Sequence, residues 1–186
     1  MVSGLTFEVR AGNALAIRGP NGSGKTTLLR TIAGYLHPAA GRIEIKGGRE
    51  DHYYHYFGHS NGVKPRLSVI ENVNFWQRYY SGESDSEAAE AALEAFGLLN
   101  LSSFSAGELS QGQARRLGLA RLLAAYRPIW LLDEPSVSLD GASTRLLESA
   151  IASHLSTGGI AIFATHLDLA LTEAGILELV VPGMSL

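Results

Sequence analysis

The sequence predicts an α/β domain built on a mostly parallel core sheet. Short apolar runs typical of buried strands alternate with stretches typical of helices along most of the chain. A glycine-rich segment, residues 19–27 with the sequence GPNGSGKTT, lies between one such strand and one such helix. With 186 residues, of which 46% are hydrophobic, the chain is long enough for one domain, residues 1–186, with a sizeable core.

The first predicted elements flank the glycine-rich segment. An apolar strand over 14–17 precedes the segment, and a helix over 26–33 follows it. Residues 5–10 and 42–46 each alternate between apolar and polar side chains. We expect these two stretches to pair as a small antiparallel β-subdomain.

The remaining elements follow in chain order. They are a strand over 53–58, helices over 68–80 and 84–96, a helix opening at residue 109, a buried strand over 129–132, a helix over 141–155, a strand over 160–164, a short helix and a last strand near 176–181. Because residues 67–107 carry only helical patterns, they are expected to form an α-helical subdomain inserted into the sheet domain.

Residues 19–27 predict a site for a nucleoside triphosphate. Glycines allow backbone conformations that a Cβ would obstruct, so successive N–H groups can converge on one phosphate, and the helix that follows adds its positive end. Lys25 supplies a charge for the β- and γ-phosphates, and Thr26 a hydroxyl for Mg²⁺. The glycine spacing is not the G-x-G-x-x-G of dinucleotide-binding folds. The nucleotide-binding residues predicted here are Gly19, Pro20, Asn21, Gly22, Ser23, Gly24, Lys25, Thr26 and Thr27.

Composition narrows the class of protein. The net charge of -3 and the pI near 6.1 give no support for a nucleic-acid partner, and none is expected. No apolar run approaches the roughly 20 residues that span a bilayer. The absence of cysteine fits a reducing compartment. A soluble cytosolic domain is therefore expected, which another protein must hold if it works at a membrane.

A second motif, LSQGQ at residues 109–113, lies ahead of a strand that ends in LLDEP. Ser110 and Gln113 have the spacing of a capping box, which places Ser110 and Gly112 at a helix N-terminus suited to an anion. Alone, this pattern indicates a well-capped helix. Together with the glycine-rich segment and LLDEP, it resembles the nucleotide-binding domain of the ATP-binding cassette (ABC) proteins, which are P-loop NTPases. The resemblance covers nearly the whole chain.

The resemblance implies a head-to-tail dimer of two copies of the chain with two ATP molecules between them. The signature residues that would close on the ATP of the opposite protomer are Leu109, Ser110, Gln111, Gly112 and Gln113. The D-loop residues that would contact the opposite protomer are Ser138, Leu139 and Asp140.

The same resemblance implies the catalytic machinery. Asp133, together with Thr26, would hold Mg²⁺. Glu134 would act as general base for the attacking water, and His166 would hydrogen-bond the γ-phosphate and help to orient that water. Lys25 completes this catalytic set. ATP and Mg²⁺ are the cofactors expected.

Three features depart from the ABC pattern. His59, expected to contact ATP, occupies the position where the family usually has a glutamine, and Gln111 replaces a glycine of the signature. Only 18 residues precede Gly19, so the family's first strand and the loop that stacks on adenine are expected to be missing. Because a base–aromatic stack is worth about 1–3 kcal/mol, we expect weaker adenine binding.

Residues 56–76, YFGHSNGVKPRLSVIENVNFW, indicate a subfamily. They are similar to the ATP-binding subunits of the haem exporter in cytochrome c maturation (the CcmA family), in which a histidine commonly occupies the position of His59. This similarity implies integral membrane subunits as partners and haem as the indirect substrate. It also implies a peripheral location on the cytoplasmic face of a bacterial inner membrane.

Two other functions stay open. One is a soluble ABC-type ATPase acting on nucleic acid or ribosomes, although such proteins tend to carry two cassettes or a long insertion. The other is a catalytically weak cassette with a structural role, which the missing N-terminal strand motivates. The presence of Lys25, Asp133, Glu134 and His166 weighs against the second.

Overall fold

The computed structural model describes residues 3–46, 54–165 and 176–180, the last segment by its backbone alone. Its strands are β1 (Ala14–Arg18), β2 (Tyr54–Phe57), β3 (Ile129–Asp133), β4 (Ile160–Ala164) and β5 (Ile176–Val180). Its α-helices are α1 (Lys25–Ile32), α2 (Val69–Ser81), α3 (Ser86–Ala95), α4 (Gln111–Ala124) and α5 (Gly141–Ser156). Short 3₁₀ helices cover Leu99–Leu101 and Ala106–Glu108. The predicted α/β class is confirmed.

The strands form one sheet in the order β2-β3-β4-β1-β5, and every pairing between neighbours is parallel. Parallel neighbours need long crossover connections, which explains why helices separate strands that lie side by side. The register pairs Asp133 at the end of β3 with Ala164 at the end of β4, and Ala164 with Ile17 of β1. The residues that follow β1 and β3 therefore start from the same edge of the sheet, where α/β proteins bind ligands.

The predicted antiparallel β-subdomain is not formed. Residues 5–10 and 42–46 belong to no strand of the described structure, and most of their side chains are exposed. Each stretch instead contains an ion pair between residues two positions apart: Arg10 pairs with Glu8, and Arg42 pairs with Glu44. Alternation alone predicted these strands, but a two-stranded ribbon without a buried face is at best marginally stable.

The chain divides into two compact units. The first comprises residues 1–58, 127–135 and 152–186, and it contains the sheet and α1. Helix α1 packs on the sheet through Leu29 and Ile32. The buried cluster of this unit consists of Leu15, Ile17, Leu29, Ile32, Ile129, Leu131, Ile162 and Ala164.

The second unit comprises residues 59–126 and 136–151, so it is larger than the helical segment 67–107 predicted from sequence. The difference arises because α4 packs against both α2 and α3. Buried Gln77 joins the three helices, since its Nε2 donates to the carbonyls of Asp85 (3.0 Å) and Ala124 (3.1 Å). Across the described residues of both units, no helix has the length and apolar character needed to cross a bilayer.

Candidate active site

The glycine-rich segment forms a loop with the predicted backbone. Gly19, Gly22 and Gly24 have φ values of 151°, 78° and 102°, in the region that side chains with a Cβ rarely adopt. Gly24 is the N-cap of α1 in the left-handed conformation, and no side chain caps the helix. The amide groups of the first turn of α1 therefore lack a capping side chain, as an anion site at a helix N-terminus requires.

Lys25 is the first residue of α1, and its side chain is buried. The ammonium group donates to the carbonyl oxygens of Gly19 (2.7 Å) and Pro20 (3.0 Å), so the charge is held over the loop. Ser23 Oγ is buried and has no hydrogen-bond partner among the described residues. A positive charge, an orphaned hydroxyl and an uncapped helix end fit a bound phosphate chain. Asn21 of the loop and Thr27 of α1 are exposed.

The structure brings together the two residues predicted to hold Mg²⁺. Thr26 Oγ1 donates to Asp133 Oδ1 at 3.1 Å. Asp133 is only 6% exposed, because it ends the buried strand β3. A hydroxyl and a carboxylate are the oxygen ligands that Mg²⁺ prefers, so this pair fits the cation. When bound, Mg²⁺ would supply positive charge that offsets the negative charge of a triphosphate.

Sequence reasoning missed a third residue beside this pair. The Tyr56 hydroxyl donates to Asp133 Oδ2 at 3.5 Å and accepts from Arg30 Nε at 3.4 Å. Burial raises the pKa of Tyr56, so its hydroxyl keeps its proton at neutral pH. The sequence offers only the position of Tyr56 near the end of a predicted strand, because the pairing of that strand with the one that ends at Asp133 is seen only in the structure.

Glu134 has an unusual backbone conformation for a residue with a Cβ. Its φ is 48°, and its N–H donates to the carbonyl of Ala164 at 2.9 Å. The left-handed region costs roughly 1–2 kcal/mol, and such strain clusters at functional sites. His166, the other predicted catalytic residue that follows a strand, lies outside the described residues.

In the second unit, the signature segment forms the predicted capping box. Ser110 Oγ accepts from the N–H of Gln113 at 3.3 Å, and Gln113 Oε1 accepts from the N–H of Ser110 at 2.8 Å. A Cβ added to Gly112 would lie 3.3 Å from the carbonyl oxygen of Ser138, so glycine here permits close approach of the D-loop. The signature and D-loop segments of one chain are therefore neighbours.

The D-loop is shaped by its own hydrogen bonds. Ser138 has a φ of 68°, and the N–H of Leu139 donates to the carbonyl of Ser136 at 3.1 Å. Asp140 Oδ1 accepts from the N–H of Ser143 at 2.7 Å at the start of α5, and this hydrogen bond lowers the pKa of Asp140. Asp140 is thus an ionised cap of α5 at neutral pH.

A cleft of about 340 Å³ lies in the second unit. It is lined by His59, Asn61, Leu109, Gln111, Ala114, Arg115, Val137 and Ser138. Arg115, which sequence reasoning missed, is 4% exposed and donates to Asn61 Oδ1 (2.9 Å) and to the carbonyl of His59 (3.4 Å). The segment that carries His59 is thereby fixed to α4, the signature helix.

Comparisons with known proteins agree with this geometry. A sequence model of the ABC transporter family matches residues 2–137. The chain is 51% identical over 178 residues to the cytochrome c biogenesis ATP-binding export protein CcmA of Roseobacter denitrificans, covering 96% of this chain and 82% of that protein. The fold is similar to an ABC transporter ATP-binding protein from Pyrococcus furiosus, with a TM-score of 0.85, 30% identity and coverage of 97% and 90%. It is also similar to an ATP-binding cassette solved as a dimer in a post-hydrolysis state with ADP and Pi, with a TM-score of 0.76, 25% identity and coverage of 96% and 85%.

Proposed function

Because this chain belongs to the ABC transporter family, we propose that it is the ATP-hydrolysing subunit of a transporter, with its active site at the loop over residues 19–27. The observation that carries this proposal is the contact of Thr26 with Asp133 beside an uncapped helix that starts at Lys25. These residues bring charge, amide donors and oxygen ligands together in one place, as the binding of a metal-bound triphosphate requires.

The loop binds and orients the triphosphate. Its backbone N–H groups and the first turn of α1 surround the phosphates, and Lys25 donates to the β- and γ-phosphate oxygens. Lys25 must then exchange its hydrogen bonds with the Gly19 and Pro20 carbonyls for bonds to phosphate. Thr26 and Asp133 would hold Mg²⁺, and the imidazole ring of His59 would contact the nucleotide. Positioning and charge stabilisation together lower the barrier to phosphoryl transfer.

Glu134 acts as general base in this proposal. Its carboxylate accepts a proton from the water that attacks the γ-phosphate, and His166 hydrogen-bonds the γ-phosphate and orients the water. The hydrogen bond from the Glu134 N–H to Ala164 fixes the backbone from which the carboxylate projects.

The working unit is a head-to-tail dimer that closes when ATP binds. In it, Ser110 and Gly112 of one copy contact the γ-phosphate held by the other copy, and the D-loop residues lie at the same interface. The relative solved as a dimer with ADP and Pi supports this arrangement. The capping box supports it too, since it presents Ser110 on a rigid helix end.

The transported system is proposed from the relatives. The cytochrome c biogenesis export protein at 51% identity supports haem export as the process that this subunit drives. Integral membrane subunits would then be its partners, haem its indirect substrate, and the cytoplasmic face of a bacterial inner membrane its peripheral location. Purification of the chain from native membranes tests this assignment, because integral membrane subunits should co-purify with it. Addition of haem to the purified complex should change its rate of ATP hydrolysis.

The experiment that tests the ATPase uses Glu134→Gln. We expect nucleotide binding to persist while hydrolysis falls by about 10²–10⁴-fold, because the general base is lost. Phosphate release and binding of a fluorescent ATP analogue measure the two effects, and Glu90→Gln on the exposed face of α3 is the control. Hydrolysis at the parent rate would exclude Glu134 as the base.

ATP should also convert the Glu134→Gln variant to a dimer in light scattering, and a nucleotide-bound monomer would contradict the closing dimer.

A further inference from the structure

The Asp133 carboxylate is held at both of its oxygens. Thr26 donates to Oδ1 at 3.1 Å, and Tyr56 donates to Oδ2 at 3.5 Å. We infer that Tyr56 is a positioning residue: its hydroxyl, oriented by Arg30, keeps the Asp133 carboxylate in the orientation that binds the divalent cation of the nucleotide. This inference rests on the proposed function, and it assigns a role to a residue outside the predicted site.

The direction of the hydrogen bonds follows from the chemistry of the donors. A guanidinium group donates and never accepts, so the Tyr56 oxygen must accept from Arg30 Nε, at 3.4 Å. The hydroxyl proton of Tyr56 is then directed away from Arg30 and towards Asp133 Oδ2. Arg30 lies in the last turn of α1, the helix that also carries Thr26. One helix therefore reaches both oxygens of the carboxylate, directly through Thr26 and indirectly through Tyr56.

The sheet and its surroundings fix the position of the Tyr56 ring. Tyr56 pairs in register with Leu131 of β3, two residues before Asp133. The ring of Tyr35 contacts that of Tyr56 in a T-shaped arrangement, with centroids 5.4 Å apart. A Cβ added to Gly58 would lie 2.9 Å from Cε1 of Tyr56, so glycine at this position leaves space for the ring. Strand pairing and ring packing thus fix the Tyr56 ring in the position from which its hydroxyl reaches Asp133.

Because of this arrangement, the orientation of the Asp133 carboxylate does not depend on Thr26 alone. The Thr26 oxygen would hold the cation through a lone pair while its O–H donates to Oδ1, and the Tyr56 hydroxyl holds the other oxygen, Oδ2. A rigid carboxylate matters because Mg²⁺ tolerates little departure from octahedral geometry. The contact at 3.5 Å is long for a hydrogen bond to a carboxylate. We therefore expect its loss to weaken cation binding by about three- to tenfold, the scale of an ordinary hydrogen bond and less than that of a short bond to a charged group.

The experiment uses Tyr56→Phe in the full chain, which removes one oxygen and keeps the ring. Mn²⁺ serves as the probe for the cation, because it takes similar oxygen ligands and its free concentration is read by electron paramagnetic resonance. With a saturating ATP analogue, Tyr56→Phe should need about three- to tenfold more Mn²⁺ for half-occupancy. Its affinity for the nucleotide without metal should equal that of the parent. Tyr35→Phe is the matched control, because it removes the neighbouring tyrosine hydroxyl, and it should match the parent in both measurements.

The outcomes separate this inference from the proposed function. If the parent binds no Mn²⁺ with the nucleotide, the proposed site itself fails. If the parent binds and Tyr56→Phe is identical to it, Tyr56 has no positioning role. Loss of metal-free nucleotide binding in Tyr56→Phe would also overturn the inference, because it would indicate general disruption of the loop.

Arg30→Gln tests the orienting step. It should shift Mn²⁺ binding in the same direction, and adding it to Tyr56→Phe should produce no further loss. Additive losses in the double variant would show that Arg30 does not act through Tyr56.

Discussion

Helices α1 and α4 both begin at segments assigned to phosphate contact, yet their N-termini are built in opposite ways. The end of α1 carries Gly24 in a left-handed conformation and no capping side chain. The end of α4 carries a reciprocal capping box between Ser110 and Gln113. Helix α2 carries the same kind of box between Ser68 and Glu71, although no phosphate role is assigned to it.

The difference is whether a side chain caps the helix: none caps α1, whereas Ser110 caps α4. A capping side chain stabilises a helix by roughly a few tenths of a kcal/mol relative to glycine, and α1, with Gly24 as its N-cap, forgoes this stabilisation. Without a capping side chain, its first amide groups remain available to the phosphates that we propose this loop binds. At the end of α4, the capping box satisfies the N–H groups of Ser110 and Gln113. This helix end is therefore stabilised without a ligand and suits a contact made only when a second copy closes. In the proposed function, the α1 end is the primary binding site, and the α4 end is a surface that completes it.

Lys25→Ala is the test of this comparison for which we expect the largest loss of ATP affinity. If the uncapped helix end needs the ammonium charge to bind phosphate, ATP affinity should fall by about 10²–10³-fold, the scale for removing one partner of a desolvated charge pair. Titration with a fluorescent ATP analogue measures the loss. Unchanged affinity would mean that backbone amides alone hold the nucleotide.

Lys64→Ala is the control for the lost charge. Lys64 belongs to the second unit, where its Nζ lies 5.0 Å from the centroid of the Phe75 ring. Its removal should leave ATP affinity within twofold of the parent, whereas a loss equal to that of Lys25→Ala would point to a nonspecific effect of net charge.

A smaller effect sharpens the comparison between the two capping boxes. Ser110→Ala and Ser68→Ala each remove one cap, so each should lower the free energy of unfolding by about 0.5–2 kcal/mol, measured by urea denaturation. Only Ser110→Ala should also reduce ATP-driven dimer formation and hydrolysis. If Ser68→Ala reduced both activities equally, the loss would come from stability and Ser110 would have no contact with phosphate.

The smallest effect concerns a titratable group of the first unit outside the phosphate loop. His154 stacks on Trp130, with ring centroids 4.0 Å apart and planes 7° from parallel. Burial lowers the pKa of His154, so the folded chain favours the neutral ring. The unfolded chain takes up the proton near pH 6.5, and stability should therefore decline as the pH falls below that value.

Urea denaturation between pH 7.5 and 5 measures this decline. His154→Phe retains a flat ring against Trp130 and should show a weaker pH dependence than the parent, with ATP affinity unchanged at pH 7.5. Equal slopes in the two proteins would remove His154 as a source of the pH dependence.

The structural elements that could be predicted from the sequence are those determined by residues close together in the chain. The loop over 19–27, the capping box at Ser110 and the strand that ends at Asp133 each depend on neighbours in the chain, and all three are confirmed as structural elements. The pairing of 5–10 with 42–46 was wrong because alternation does not reveal whether a partner or a buried face exists. Tyr56 and Arg115 were missed because their contacts cross between segments distant in the chain.

The backbone of Glu134 limits what can replace this residue over evolutionary time. Its positive φ is reached most easily by glycine and asparagine, and β-branched residues are strongly disfavoured there. A lineage that lost the carboxylate would therefore be expected to drift to one of those two residues rather than to valine, isoleucine or threonine. If Glu134 is the general base, as proposed, such drift would leave the fold intact while hydrolysis disappeared. Descendants of this chain that bind ATP without hydrolysing it should then be recognisable from that single position.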